Sequence, residues 1–216
     1  MHPFIPKIPE IDNLLSTAGP HRTIVNFRKK QVIFSQGDPN DAVFLIERGM
    51  VRLAAISSQG KEAIFAVRNA GCFFGESCML EEQPLRSYGA IALTEVRAAK
   101  TQGNAFAQNL RLGANAHAFI TYLLTVNEGL QADLIHNLLS SSEQRLARAL
   151  LALAELGAEG KPRFRTELSQ QDLANMIGAT RQLVNTHLKR FRKLGFVDDR
   201  GGMKVPGAMR NVAGYG

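Results

Sequence analysis

Between Gly113 and about Leu139 the chain has no proline, and Phe119, Leu123, Val126, Leu130 and Leu134 recur at spacings of three or four. That is the apolar stripe of a helix of about seven turns. A stripe of this length has to be covered. It either packs on its own domain or pairs with a second copy as a short coiled coil. Gly129 costs about 1 kcal/mol against alanine in a helix interior. Asn127, Asp133 and Asn137 also break the order, so no strict zipper is expected.

Before this helix, from about Ile24 to Lys100, short β-rich runs alternate with glycine turns. Gln31–Phe34 leads to Gly37-Asp38, Ala42–Ile46 to Gly49, Val51–Ile56 to Gly60, and Glu62–Val67 to Gly71. Strands at roughly 8–12-residue spacing predict a sandwich or barrel. Ahead of them, Phe4 to Leu15 with its prolines reads equally as a packing arm or a tail.

After the long helix, a serine run at 140–142 marks a hinge, and Ser142 is a candidate N-cap for a helix through Ala154. Gly157 to Pro162 then forms a loop. Ser169 to Asp172 has the form of a capping box, with Leu173, Ala174, Met176 and Ile177 as the buried face of a short helix ending at Gly178. Thr180 can cap a second helix at once. In it Val184, Leu188 and Phe191 face inward, while Arg181, Gln182, Asn185, Thr186, Lys189 and Arg190 face out. A helix, a tight glycine turn and a helix starting in Arg, Gln and Asn is a helix-turn-helix, and those side chains can bond base edges in a major groove. Phe196 to Val205, with Gly201-Gly202 at its turn, predicts a β-hairpin and so a winged helix.

Charge supports this placement. The formal net charge is +7, yet residues 1–139 carry 13 Lys/Arg against 12 Asp/Glu, and residues 140–216 carry 13 against 7. The basic excess is confined to the segment with the helix-turn-helix, as a nucleic-acid module requires. No run of about 18 apolar residues occurs, and the first residues lack a basic and apolar leader, so a cytoplasmic chain with no membrane association is expected. The only cysteines, Cys72 and Cys78, are too few for a disulfide scaffold or a metal cluster. His2, His21, His117, His136 and His187 are scattered away from any nucleophile motif, so no enzyme is expected.

One more segment carries chemistry. Gly75-Glu76 is followed ten residues after Glu76 by Arg86-Ser87. Backbone N–H groups after Gly75 and the Arg86 guanidinium can hold a phosphate, and Glu76 can accept from ribose hydroxyls. Equally, Glu76 and Arg86 can form an internal ion pair that staples the turn.

With these motifs in this order, the chain resembles the cyclic AMP receptor protein/FNR (CRP/FNR) family over nearly its whole length. The resemblance implies an α+β chain with an N-terminal arm and cyclic-nucleotide-binding-like β-roll (jelly roll) over 1–112. A dimerisation helix over 113–139 and a winged helix-turn-helix domain over 140–216 would follow. It implies a homodimer on palindromic double-stranded DNA that recruits or blocks RNA polymerase. It also implies an effector, cyclic AMP or cyclic GMP, bound by Gly75, Glu76, Ser77, Cys78, Arg86 and Ser87, with Glu76 on the ribose, Arg86 and Ser87 on the phosphate, and backbone donors from Ser77 and Cys78. On DNA it gives base-reading positions to Arg181, Gln182, Asn185 or Thr186, groups Lys189 with the helix-turn-helix, and gives phosphate contacts to Gln170 and Thr180.

Two positions depart from the family pattern. Where cyclic-AMP-responsive members place Thr-Ser against the adenine, this chain has Leu130-Gln131, and only Gln131 can hydrogen-bond a base. Where the family has Glu after the recognition arginine, Gln182 favours adenine over cytosine. The cysteine-rich iron–sulfur N-terminus of the oxygen-sensing branch is missing, and neither haem nor metal is expected. An effector-independent DNA-binding regulator and a cyclic-nucleotide-binding module acting on a protein partner are the alternatives.

Overall fold

The computed structural model describes residues 22–80, 82–111, 113–156, 168–197 and 206–214. The arm around Phe4 to Leu15, the loop from Gly157 to Pro162 and the hairpin turn at Gly201-Gly202 lie outside the described residues.

Eight strands form two four-stranded sheets among these residues: β1 (Arg22–Phe27), β2 (Val32–Phe34), β3 (Ala42–Arg48), β4 (Val51–Ile56), β5 (Glu62–Arg68), β6 (Phe73–Phe74), β7 (Gly89–Ala92) and β8 (Val96–Gln102). One sheet has the order β1-β8-β3-β6, the other β2-β7-β4-β5. Strand periodicity splits the apolar residues between two clusters. Phe44, Ile46 and Phe74 join Phe34, Val51, Leu53, Ala90, Ala92 and Ala98 in a core drawn from both sheets. The alternate residues Val43, Leu45 and Phe73 pack with Phe106, Phe119 and Tyr122 on two helices. Alanines on β7 and β8 leave room for the aromatic rings, and Phe44 and Phe74 stack with centroids 5.0 Å apart. This is the predicted β-roll.

The helices are α1 (Gly103–Leu110), α2 (Gly113–Leu139), α3 (Ser142–Leu156), α4 (Gln170–Ile177), α5 (Arg181–Lys193) and α6 (Pro206–Val212). None is long and apolar enough to cross a membrane. The chain forms two compact units, with one boundary between Glu128 and Gly129 inside α2. Residues Ala63–Phe65 group with the C-terminal unit.

The long helix is where the sequence places it, but its single stripe resolves into two faces. Ala118, Phe119 and Tyr122 are buried with the roll. The Tyr122 hydroxyl accepts from the Phe73 N–H at 2.8 Å and donates to the Phe73 carbonyl at 3.2 Å. By contrast Leu123, Leu130 and Leu134 are exposed. The exposed apolar seam runs through Ile120, Leu124, Asn127, Gln131, Leu134 and Leu138, all exposed and spaced four, three, four, three, four. Phe119 and Leu134 therefore do not serve one purpose: the first packs with the roll, and the second is exposed.

Two local expectations are corrected. Ser141, not Ser142, caps α3: its hydroxyl accepts from the Gln144 N–H at 3.3 Å, while the Gln144 side chain accepts from the Ser141 N–H at 2.9 Å. Met176 is only half-buried, since Leu173, Ala174 and Ile177 suffice to cover that face of α4. Two short helices, α1 and α6, were not foreseen. The second is held where Met209 and Ala213 are buried and Arg148 Nε donates to the Ala213 carbonyl at 2.6 Å.

Candidate functional site

Helices α4 and α5 are built by caps that are legible residue by residue. The Ser169 hydroxyl accepts from the Asp172 N–H at 3.1 Å, and an Asp172 carboxylate oxygen accepts from the Ser169 N–H at 2.8 Å. Gly178, with φ of 63°, ends α4 in the left-handed region that costs glycine nothing. Thr180 Oγ1 accepts from the Leu183 N–H at 3.2 Å and starts α5. Val184, Leu188 and Phe191 are buried. This packing leaves Arg181, Gln182, Thr186 and Lys189 exposed, with Asn185 beside them half-buried. Thr180 is exposed and Gln170 half-buried at the starts of the two helices. Thr186 bonds back to the Gln182 carbonyl at 3.1 Å, so its methyl is the part it offers outward.

Helix α3 braces this pair, which sequence reasoning did not anticipate. Arg145 donates to the Ile177 carbonyl at 2.9 Å and to the Ser140 carbonyl at 2.7 Å. Ser142 Oγ meets His187 Nε2 at 3.0 Å, and Glu143 accepts from Arg190 at 2.9 Å. The outward residues of α5 are thus held on a fixed frame.

In the roll, Gly75 takes φ of 81° and opens a single 3-10 turn, Glu76–Met79, directly after β6. A Cβ there would lie 2.6 Å from Arg86 Nη1 and 3.0 Å from the Ala42 carbonyl, so only glycine fits between them. Arg86 is 3% exposed. Its Nη1 donates to the Gly75 carbonyl at 3.1 Å and its Nη2 to the Ala42 carbonyl at 2.6 Å. The guanidinium carbon lies 4.2 Å from the centroid of Phe34. Burial pulls the Arg86 pKa below its ordinary value, opposed by the nearby acidic groups.

The internal ion pair between Glu76 and Arg86 does not form. The acid nearest the guanidinium is Asp41, at 3.8 Å. Glu76 Oε2 and Arg86 Nε are both buried and find no hydrogen-bond partner. The Cys78 N–H, expected as a phosphate donor, is instead given to the Gly75 carbonyl at 3.2 Å, because the turn closes on itself. Burial pushes the Cys78 thiol up to about 11, so it stays protonated at neutral pH. The Ser77 hydroxyl accepts from Asn40 Nδ2 at 3.2 Å. Ser87 is exposed, and Gln131 stands exposed on the seam of α2, in the other compact unit. The structure thus gathers Gly75, Glu76, Ser77, Cys78 and Arg86 around one turn.

Sequence reasoning missed Tyr88, whose hydroxyl accepts from the Gly75 N–H at 2.9 Å. Its signal was present: two residues past Arg86 at the entry to a strand, it has to point to the same side.

A β-roll carrying a buried arginine and a half-buried glutamate at one turn, joined through a long helix to a helix-turn-helix, defines a sensor-type DNA-binding regulator. Residues 24–111 match the profile of the cyclic nucleotide-binding domain, and residues 144–207 that of the Crp-like helix-turn-helix domain. A CRP-like cAMP-activated global transcriptional regulator of Mycobacterium tuberculosis is 27% identical over 180 residues, covering 80% of this chain and 79% of the relative. The cAMP-activated global transcriptional regulator CRP of Salmonella typhimurium is 24% identical over 196 residues, covering 89% and 93%. Two solved structures share the fold: FixK2 from Bradyrhizobium japonicum (TM-score 0.72, 19% identity, covering 88% of this chain and 96% of that one), and the c-di-GMP responsive regulator CLP of Xanthomonas campestris (TM-score 0.71, 19% identity, covering 89% and 97%). The chain belongs to the CRP/FNR family of transcription regulators. It is a DNA-binding regulator and not an enzyme.

Proposed function

We propose that the chain works as a homodimer whose grip on a palindromic DNA site is gated by a cyclic nucleotide, cyclic AMP or cyclic GMP, in the β-roll. The observation that carries the gating is the pair of buried atoms, Glu76 Oε2 and Arg86 Nε, that the chain itself leaves without a partner. Such atoms cost about 1–3 kcal/mol each when unpaired, more when charged. A ribose hydroxyl and a cyclic phosphate supply what they lack: a donor for the carboxylate and an acceptor for the guanidinium N–H.

The partner for the seam Ile120, Leu124, Asn127, Gln131, Leu134 and Leu138 is a second copy. Its alternating four-three spacing is that of helices paired along a common axis. Gln131 then lies on the pairing face, where it can meet the base of a bound nucleotide. Coupling runs through Tyr122, which ties α2 to Phe73, two residues before Gly75. A ligand that prefers one setting of that helix shifts the dimer toward the arrangement that fits DNA.

On DNA, Arg181 and Gln182 read base edges together with Asn185 or the Thr186 methyl, Lys189 adds positive charge on the same face, and Gln170 and Thr180 meet phosphates. Binding to chromosomal DNA and engagement of RNA polymerase place the chain in the cytoplasm. Effector-independent binding is the second reading, favoured by the bonds Arg86 already makes to Gly75 and Ala42.

The test is selection of genomic fragments by the purified full chain at fixed salt, with and without cyclic AMP or cyclic GMP. Enrichment of palindromic fragments that tightens with nucleotide, and loses the gain in Glu76→Gln, supports gating. Enrichment indifferent to nucleotide supports the second reading.

A further inference from the structure

The phenol of Tyr88 reaches into the turn described above. Its hydroxyl accepts the Gly75 N–H at 2.9 Å. Its ring centroid lies 5.8 Å from that of Phe34, the ring under the Arg86 guanidinium. Tyr88 is half-buried against the aromatic core of the roll. Glu76 and Arg86 both lie close enough to act on its ionisation, and burial, with Glu76 adding to it, raises its pKa above the ordinary value. It is therefore a neutral phenol at any physiological pH. Its oxygen already occupies the acceptor position on an amide that opens the left-handed turn, while two N–H groups of Arg86 are taken by the Gly75 and Ala42 carbonyls. An incoming phosphate oxygen competes with both arrangements at once.

We propose that Tyr88 is a built-in plug of the phosphate site, an internal stand-in for a phosphate oxygen at Gly75, and that a cyclic nucleotide binds only by displacing it. This deepens the gating reading and rests on it. The consequence is a raised effector threshold: the roll is held in its ligand-free arrangement by its own side chain and responds only to a nucleotide that contributes more at Glu76 and Arg86 than the phenol does at Gly75. Phe34 follows, because the same ring contacts both the plug and the guanidinium, so release of one loosens the other.

The experiment is calorimetric titration of the full chain with cyclic AMP and with cyclic GMP, in wild type, Tyr88→Phe, Tyr88→Ala and Glu76→Gln, with melting curves to verify folding. Tyr88→Phe keeps the ring and loses the hydroxyl that accepts from Gly75, so it should bind about 3- to 10-fold tighter than wild type. Tyr88→Ala removes the ring as well and should gain more, at least about 10-fold. If Tyr88→Ala does not fold, Tyr88→Phe decides alone. Wild-type binding that weakens in Glu76→Gln but does not tighten in the folded Tyr88 variants overturns the plug and leaves gating intact. No binding of either nucleotide by wild type and both Tyr88 variants overturns plug and gating together.

Discussion

The turn in the β-roll and the outer face of α5 use the same chemistry, arginine with neutral polar neighbours, under opposite conditions. Arg86 is enclosed and has contracted bonds to Gly75 and Ala42, whereas Arg181 and Gln182 stand in water. A surface group waiting for DNA costs the fold nothing, because water meets its hydrogen-bonding needs. A buried group has no such option. It must be paired by the chain, as Arg86 Nη1 and Nη2 are, or carry an unpaired penalty, as Arg86 Nε and Glu76 Oε2 do. An exposed polar face and a buried polar turn therefore place different demands on folding: the first can be altered freely, the second is part of the core.

The largest expected effect breaks the roll side of that comparison. Arg86→Met leaves the Gly75 and Ala42 carbonyls without their charged donor and should cost about 3 kcal/mol of stability, read as a lower melting temperature, without touching the charge of α5. If the melting temperature does not move, Arg86 is not structural. The next acts on the other side. Arg181→Ala should weaken binding to a selected operator by about 1–3 kcal/mol, roughly 5- to 150-fold, with melting unchanged. A change in melting comparable to that of Arg86→Met would erase the distinction. Ser169→Ala tests the frame beneath the exposed face: loss of the capping box should cost about 1 kcal/mol in a melting curve. Smallest is Glu143→Gln, which removes a surface-facing ion pair to Arg190 and should shift stability by no more than about 0.5 kcal/mol.

How far each region could be read in advance follows the same division. The helix-turn-helix is fixed by contacts within four residues: Ser169 with Asp172, Gly178 at a left-handed cap, Thr180 with Leu183. Each is visible as a residue type at a spacing. The roll strands were legible because glycine turns punctuate them. The faces of α2 were not, since Phe119 and Leu123 are alike as letters and differ only in what the fold sets against them. Helix α6 was missed because it packs against α3, a partner some fifty residues earlier in the chain, where Met209 is buried. At the Gly75 turn the residue types were legible, yet where the bonds of Arg86 and Cys78 go depends on carbonyls, and a carbonyl leaves no mark in a sequence. Tyr88 belongs with these. Its position predicted its side, and only the fold reveals the amide it meets.

The Tyr122 hydroxyl makes two hydrogen bonds to the backbone of Phe73. Strand β6 is the last of its sheet, paired to β3 on one side only. The outward amide and carbonyl of Phe73 would ordinarily be a template on which another chain can add a strand. A single hydroxyl from a helix meets both, so that edge is sealed without a further strand. In a crowded cell, the same tyrosine guards against pairing by accident along a sheet.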